Sequence, residues 1–186
     1  REATLIKVQK ETESILIHPY NDENIIAGQG TAAKELLEEC PDLDIIISPV
    51  SGGGLLAGTI ISSNELKNDI CVFGAEPQEA DDAYRSIIAG YIKSNKTTNT
   101  ICDGLRAEIG SLTFPIIKDK VNDIITLSEK DIIISMRTIW ERLKIIVEPS
   151  CSIALAAIFK RQDLFKNKKI GLIMSGGNVD LNSLPW

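Results

Sequence analysis

The sequence predicts an α/β fold of three layers, with helices on both faces of a mostly parallel sheet. Short apolar runs alternate with helical patterns along the whole chain. The run from Asp44 to Ser48 is nearly continuous isoleucine, the composition of a strand covered on both faces. Two glycine turns, Ser51 to Gly54 and Ser175 to Gly177, directly follow such runs. In open α/β sheets the carboxyl ends of the strands line the ligand crevice, so both turns should face it.

In order, Glu2 to Glu13 reads as a helix of mixed polarity and Ile15-Leu16-Ile17 as a short strand. His18 to Asp22 is a loop, with His18 structural, and Glu23 to Glu39 is a helix. Inside that helix Gly28-Gln29-Gly30-Thr31-Ala32-Ala33 matches G-x-G-x-x-A. The dinucleotide fingerprint requires a strand immediately before it, and none is there, so these residues are read as small residues for close packing. After the Asp44–Ser48 strand come the glycine turn and a helix from Leu55 to Leu66. Ile70 to Ala75 is a strand ending at Glu76-Pro77, and Glu79 to Ala89 is a helix.

Tyr91 to Asn99 has no period and reads as a surface loop. Leu112 to Val121 is a short helix and Asp123 to Leu127 a strand. Ser128 and Asp131 form a capping box, with Asp in the Glu place, for a helix to about Lys144. Pro149 suits the first turn of the helix Ser150 to Phe159. Lys169 to Met174 is the last strand.

The chain has 186 residues, 44% of them hydrophobic, enough for a sizeable core in one domain or a little more. No run approaches a membrane span. The net charge is −6 and basic residues are scattered, which argues against a nucleic-acid partner. Cys40, Cys71, Cys102 and Cys151 show no metal or disulfide spacing and read as small core residues of a reducing compartment. The first residue is Arg1 and no signal-peptide pattern follows, so a C-terminal piece of a longer protein is expected.

The glycine turn carries the sharpest chemistry. Three successive residues without Cβ allow backbone conformations closed to others. Their amides can converge on one point, and the following helix adds the positive end of its dipole, an arrangement suited to a phosphate. The motif alone does not name the ligand.

Six blocks in order carry a family resemblance: Ile26 to Thr31, Pro49 to Gly58, Gly74 to Pro77, Asp103-Gly104, Glu148-Pro149 and Ser175 to Asn178. Together they resemble the fold-type II pyridoxal-phosphate enzymes (tryptophan synthase β-like), in the serine racemase and threonine/serine dehydratase branch. The likeness is greatest to the eukaryotic serine racemases, through Ala80-Asp81-Asp82, Trp140-Glu141-Arg142 and Gly176 to Leu181. It covers nearly the whole chain.

The resemblance implies roles. Ser51, Gly52, Gly53, Gly54 and Leu55 match the loop that holds the cofactor phosphate. Gly104 matches a backbone neighbour of the ring, and Ser175 the residue beside the pyridine nitrogen. Glu76, the carbonyl of Ala80 and Asp82 match a site for Mg²⁺ or another divalent cation. On spacing alone these acids equally fit a helix N-terminus. Lys144 and Asn178 match ATP contacts at a dimer interface, against ordinary readings as a solvated lysine and a turn asparagine. Arg1 matches an arginine that meets the substrate carboxylate.

Residues 1–20 then end a smaller, substrate-covering domain, and residues 21–186 form the large cofactor domain. The family's Schiff-base lysine lies in an S-x-K-x-R-G block near its N-terminus, and no such block occurs in this chain. The implied protein is a cytoplasmic homodimer that racemises serine and eliminates water from it. The alternatives are an L-threonine dehydratase and a non-catalytic fragment that keeps the phosphate-binding fold.

Overall fold

The computed structural model describes residues 2–186, with side chains from Thr4 onward. Its elements are α1 (Glu2–Thr12), α2 (Glu23–Glu39), β1 (Ile45–Pro49), α3 (Gly54–Leu66), β2 (Cys71–Pro77), α4 (Asp82–Ala89), α5 (Thr113–Lys120), β3 (Asp123–Leu127), α6 (Glu129–Leu143), α7 (Pro149–Lys160), α8 (Gln162–Phe165) and β4 (Ile170–Leu172). Single 3-10 turns span Gln78–Ala80 and Asp103–Leu105. The four strands form one sheet in the order β3-β2-β1-β4, and every pairing is parallel.

The isoleucine run follows from the layering. Alternate strand residues point to opposite faces. Ile45, Ile47, Phe73, Ala75, Ile125 and Leu127 pack against Ile153, Ala154 and Ala157 of α7 and Phe165 of α8. On the other face Val72 and Ile124 meet Leu56 and Ile60 of α3 and Ile117 of α5. Ile46 meets Ala33 and Leu37 of α2. Both faces of β1 are therefore apolar, and its five residues are all buried.

Local signals set the helix starts. Asp22 caps α2 by accepting from the amides of Asn24 (2.8 Å) and Ile25 (3.2 Å). Ser128 and Asp131 form the expected capping box on α6. Pro149 stands in the first turn of α7. Inside α2, Gly30 lies against α3: a Cβ there would come 2.8 Å from the Gly58 carbonyl oxygen. A Cβ on Gly58 would come 2.4 Å from the Ile26 carbonyl oxygen and 2.6 Å from the Gly30 nitrogen. The close-packing reading of this motif holds.

Other expectations change. Ile15-Leu16-Ile17 forms no strand; no described strand pairs with it, and Ile15 and Ile17 are 89% and 66% exposed. The helix expected from Glu79 is broken at Asp81. The amides of Ala83 and Tyr84 donate to the Glu76 carboxylate (3.0 and 2.9 Å), so α4 begins only at Asp82. Cys102 and Cys151 are buried as expected, whereas Cys40, at the C-cap of α2, is exposed. All four cysteines are free. The short α8 has no counterpart in the sequence-based expectation. Arg1 lies outside the described residues.

Two glycine substitutions should separate packing from propensity. Gly58→Ala forces α2 and α3 apart and should destabilise the protein by about 1–3 kcal/mol. Gly28 has nothing within 4 Å of the position its Cβ would take, so Gly28→Ala removes only glycine's helix penalty. That change should stabilise by about 0.5–1 kcal/mol. Urea unfolding of both variants checks the opposite signs.

Candidate active site

The sheet order places the site. The chain winds outward from β1 through β2 to β3, then crosses back to add β4 on the other side of β1. The switch point therefore lies between β1 and β4, and ligands in open α/β sheets bind outside the strand ends at this place. The turn Ser51–Gly53 leaves β1 there, and Ser175 follows β4.

A cleft of about 370 Å³ opens at this point, lined by Tyr20, Ser51 to Leu55, Gly104, Glu148, Ser150 and Ser175 among others. All seven residues expected at a cofactor share this one lining. A second hollow, of about 340 Å³, lies at the amino edge of the sheet between the C-termini of α2 and α3. It lacks both the strand C-termini and a helix N-terminus, so the first cleft is the candidate site.

The glycine turn is held from both sides. Gly53 has φ +92°, and a Cβ on it would meet Thr113 Oγ1 at 2.7 Å and Ile117 Cδ1 at 2.8 Å. A Cβ on Gly52 would strike the Tyr20 ring at 2.4 Å. The Gly52 carbonyl accepts from the Thr113 hydroxyl (2.7 Å) and from the Gly110 amide (3.0 Å). Among the described residues no backbone acceptor takes the amides of Ser51, Gly52, Gly53 or Gly54. These donors sit at the N-terminus of α3, where the helix dipole favours an anion. The Ser51 hydroxyl is already engaged, donating to the Ala107 carbonyl and accepting from its amide, both at 3.0 Å.

Across the cleft, Glu148 Oε2 accepts from the Asn178 amide at 2.9 Å, and the Glu148 amide donates to the Gly176 carbonyl at 3.2 Å. These bonds fix the turn that carries Ser175. The Gly104 amide donates to the Ser150 hydroxyl at 3.1 Å, which ties the 3-10 turn to α7. Burial pushes the Cys151 thiol up, against the lowering effect of its contacts with Gly176 and Ser175.

Glu76 and Asp82 lie beyond this turn and are both fully buried. Glu76 Oε1 and Oε2 each accept one α4 amide. Asp82 Oδ1 accepts from Asn95 Nδ2 at 2.8 Å, and Oδ2 from the Ile109 amide at 2.7 Å. Burial raises Asp82 from the usual carboxylate range to about 6 and Glu76 well above it, with Asp82's charge adding to the shift on Glu76. The α4 ladder opens at Asp81, whose carbonyl receives the Arg85 amide, so the Ala80 carbonyl stands outside it. No group of three acidic, cysteine or histidine residues able to hold a metal occurs among the described residues. Two buried carboxylates and a carbonyl outside a helix ladder nevertheless suit a hard cation that completes its shell with water.

Lys144 and Asn178 are not brought to the cleft lining. Lys144 caps α6 with φ 60° and donates from Nζ to the Glu141 carbonyl at 2.6 Å. No hydrogen bond or ion pair joins it to Asn178 among the described residues. His18 is structural as expected: its Nδ1 accepts from the Asn21 amide at 2.9 Å. Sequence reasoning passes over Tyr20, Glu148 and Ser150 as lining residues. Of these, Glu148 alone has a signal, as half of the Glu148-Pro149 block. No helix among the described residues is long and apolar enough to cross a membrane.

A parallel αβα sheet with open glycine-turn amides at its switch point defines a doubly wound α/β class of protein. Within that class, this chain belongs to the family described as pyridoxal-phosphate dependent enzymes, matched over residues 1–176. It is 46% identical, over its whole length, to a β-hydroxyaspartate dehydratase of Paracoccus denitrificans, of which it covers 59%. It is 49% identical over 99% of its length to a serine racemase of Arabidopsis thaliana, of which it covers 57%. The crystal structure of serine racemase from Dictyostelium discoideum superposes with a TM-score of 0.90 and 49% identity, covering 97% of this chain and 59% of that one. The chain thus spans less than three-fifths of the length of these relatives.

The buried carboxylates give a pH prediction for protein held in chelator. A carboxyl whose folded pKa is raised binds its proton more tightly in the folded state, so its contribution is present at low pH and is lost as pH rises. For Asp82 the window runs from 3.8 to about 6, and for Glu76 it begins at 4.5 and extends upward. Stability should fall across this range relative to a Glu76→Gln, Asp82→Asn double variant. Urea midpoints from pH 4.5 to 7.5 measure the difference; parallel pH profiles would contradict it.

Proposed function

We propose that the protein containing this chain is a pyridoxal-phosphate enzyme that racemises serine and dehydrates L-serine to pyruvate and ammonia. The observation that carries the reading is the meeting of uncommitted glycine-turn amides, Gly104 and Ser175 in one cleft at the switch point. The family match and the serine racemases among the relatives support it. A dehydratase acting on β-hydroxyaspartate is the second reading, favoured by the relative at 46% identity. Both readings, like an L-threonine dehydratase, need a lysine-bearing portion in addition to the residues of this chain.

Pyridoxal phosphate, when bound, supplies an electron sink for negative charge at the substrate α-carbon. The residues of this chain bind and orient it. The amides of Ser51, Gly52, Gly53, Gly54 and Leu55 would hold the phosphate, aided by the α3 dipole. The Gly104 backbone would flank the ring. The Ser175 hydroxyl would hydrogen-bond the pyridine nitrogen without protonating it. An unprotonated ring is a weaker sink than one facing a carboxylate, which suits racemisation and elimination over transamination.

Glu76, the Ala80 carbonyl and Asp82 would hold Mg²⁺ or another divalent cation. Lys144 and Asn178 would contact ATP at the interface of a cytoplasmic homodimer, where exposed Leu143, Ile145 and Ile146 adjoin Lys144. Residues 1–20 would close a smaller domain, consistent with the exposure of nearly all residues from Thr4 to Ile17, and residues 21–186 would form the cofactor domain.

Titration of the full-length protein with pyridoxal phosphate, followed by assay on L-serine, L-threonine and β-hydroxyaspartate, tests the reading and separates its versions. Absence of cofactor binding would leave the non-catalytic alternative. Gly53→Leu places a side chain at positive φ against Thr113 and Ile117. It should weaken cofactor binding at least about tenfold, or 1.4 kcal/mol, and the strain at this position should lower the urea midpoint as well. Ser175→Asp should change both the absorption spectrum of bound cofactor and the ratio of racemisation to elimination. An unchanged spectrum and ratio would remove Ser175 from the ring nitrogen.

A further inference from the structure

Asn95 sits in the aperiodic stretch between α4 and the 3-10 turn at Asp103, yet it is tied to the buried acids. Its Nδ2 donates to Asp82 Oδ1 at 2.8 Å, and its amide donates to Glu108 Oε1 at 2.9 Å. The first bond fixes the orientation of the side-chain amide, because only the nitrogen can donate to a carboxylate. Its Oδ1 is enclosed and has no hydrogen-bond partner among the described residues. A buried acceptor of this kind requires a donor. The same few residues hold two fully buried carboxyl groups, whose charged form needs a nearby cation to be favoured.

A hydrated divalent cation answers both requirements. Its charge offsets Glu76 and Asp82, and a water bound to it can only donate hydrogen bonds. A water alone would satisfy Asn95 and leave the carboxylates uncompensated. We propose that Asn95 Oδ1 accepts a hydrogen bond from a cation-bound water, making the loop Tyr91–Asn99 a wall of the cation site. This rests on the cation reading of Glu76, Ala80 and Asp82.

The loop is built for that placement. The Lys93 amide donates to Ser86 Oγ at 2.8 Å, and Ser86 Oγ donates to the Asp82 carbonyl at 2.6 Å. Arg85 Nη2 donates to the Ser94 carbonyl at 3.0 Å. Three consecutive residues, Lys93 to Asn95, are therefore anchored to α4 or to Asp82 itself.

The test is calorimetric titration of the full-length enzyme with Mg²⁺ and with Ca²⁺ after chelator treatment. The proteins are the parent, Asn95→Leu, Asn95→Asp and Glu76→Gln. Partners that orient a metal's ligands typically contribute about 10–100-fold in affinity, and Asn95→Leu should lose that much. Asn95→Asp deletes the Nδ2 donor but keeps an oxygen, so it should bind within a few-fold of the parent or tighter. Equal binding by the parent and Asn95→Leu would overturn the proposal while leaving the cation site intact. Equal weakening in Asn95→Leu and Asn95→Asp would also overturn it, assigning the effect to the lost bond with Asp82. No binding by the parent would overturn the cation reading and this inference together. Hydrogen exchange over residues 91–99 gives a second readout: cation should slow it in the parent and in Asn95→Asp, and not in Asn95→Leu.

Discussion

The rest of the structure depends on one crowded turn. At the end of β1 the chain must reverse into α3 beneath Tyr20 and beside Thr113 and Ile117, and a Cβ at Gly52 or Gly53 would lie under 3 Å from one of them. Only residues without side chains pass through that gap, and only a residue tolerant of φ +92° ends it. The same crowding has a chemical result. With their side chains absent and the helix beginning immediately, the turn's amides stay uncommitted and face the crevice between β1 and β4. The row of open amides is therefore a by-product of how tightly the turn is packed.

The turn is also connected to the buried acids, through hydrogen bonds and the short stretch of chain at residues 109 and 110. The Gly52 carbonyl is held by Gly110 and Thr113. Residue 110 follows Ile109, whose amide donates to Asp82 Oδ2. Asp82 opens α4, whose first amides are taken by Glu76. The glycine turn and Asp82 are thus joined by the Gly110–Gly52 and Ile109–Asp82 hydrogen bonds, bridged by the peptide bond between residues 109 and 110. Energetic coupling along such a path requires that its members have two arrangements. The loop Tyr91–Asn99 is the element free of helix and strand that could supply them.

Much of this is legible in the sequence because the signals are local. The isoleucine run, Pro149 and the Ser128–Asp131 pair each act within a turn or a strand, and each element lies where its signal lies. The misses share a different cause. The break at Asp81 comes from Glu76, whose carboxylate captures amides seven and eight residues downstream; no periodicity encodes that. Ile15 to Ile17 has strand composition, yet a strand exists only with a partner, and pairing is not local. In the sequence Asn95 is one more polar residue of an aperiodic loop, because its importance lies in a contact with Asp82, 13 residues back. Ser51 to Leu55, Gly104 and Ser175, which share the cleft lining, are singled out in the sequence through the family resemblance. Their convergence follows from strand order, which places β4 beside β1 and brings residue 175 to residue 51.

The G-x-G-x-x-A match in α2 shows how context decides what a motif does. As a nucleotide fingerprint it needs a strand before it, and the chain before Gly28 is a capped helix. Gly30 instead lets α2 approach Gly58 of α3 within the space of a missing methyl. That contact sets the position of α3, and hence of the dipole behind the glycine turn. Gln29, one residue earlier, lines the cleft itself. A stretch without the strand that the nucleotide fingerprint needs still bears on the cleft, by holding in place the helix end behind the glycine turn.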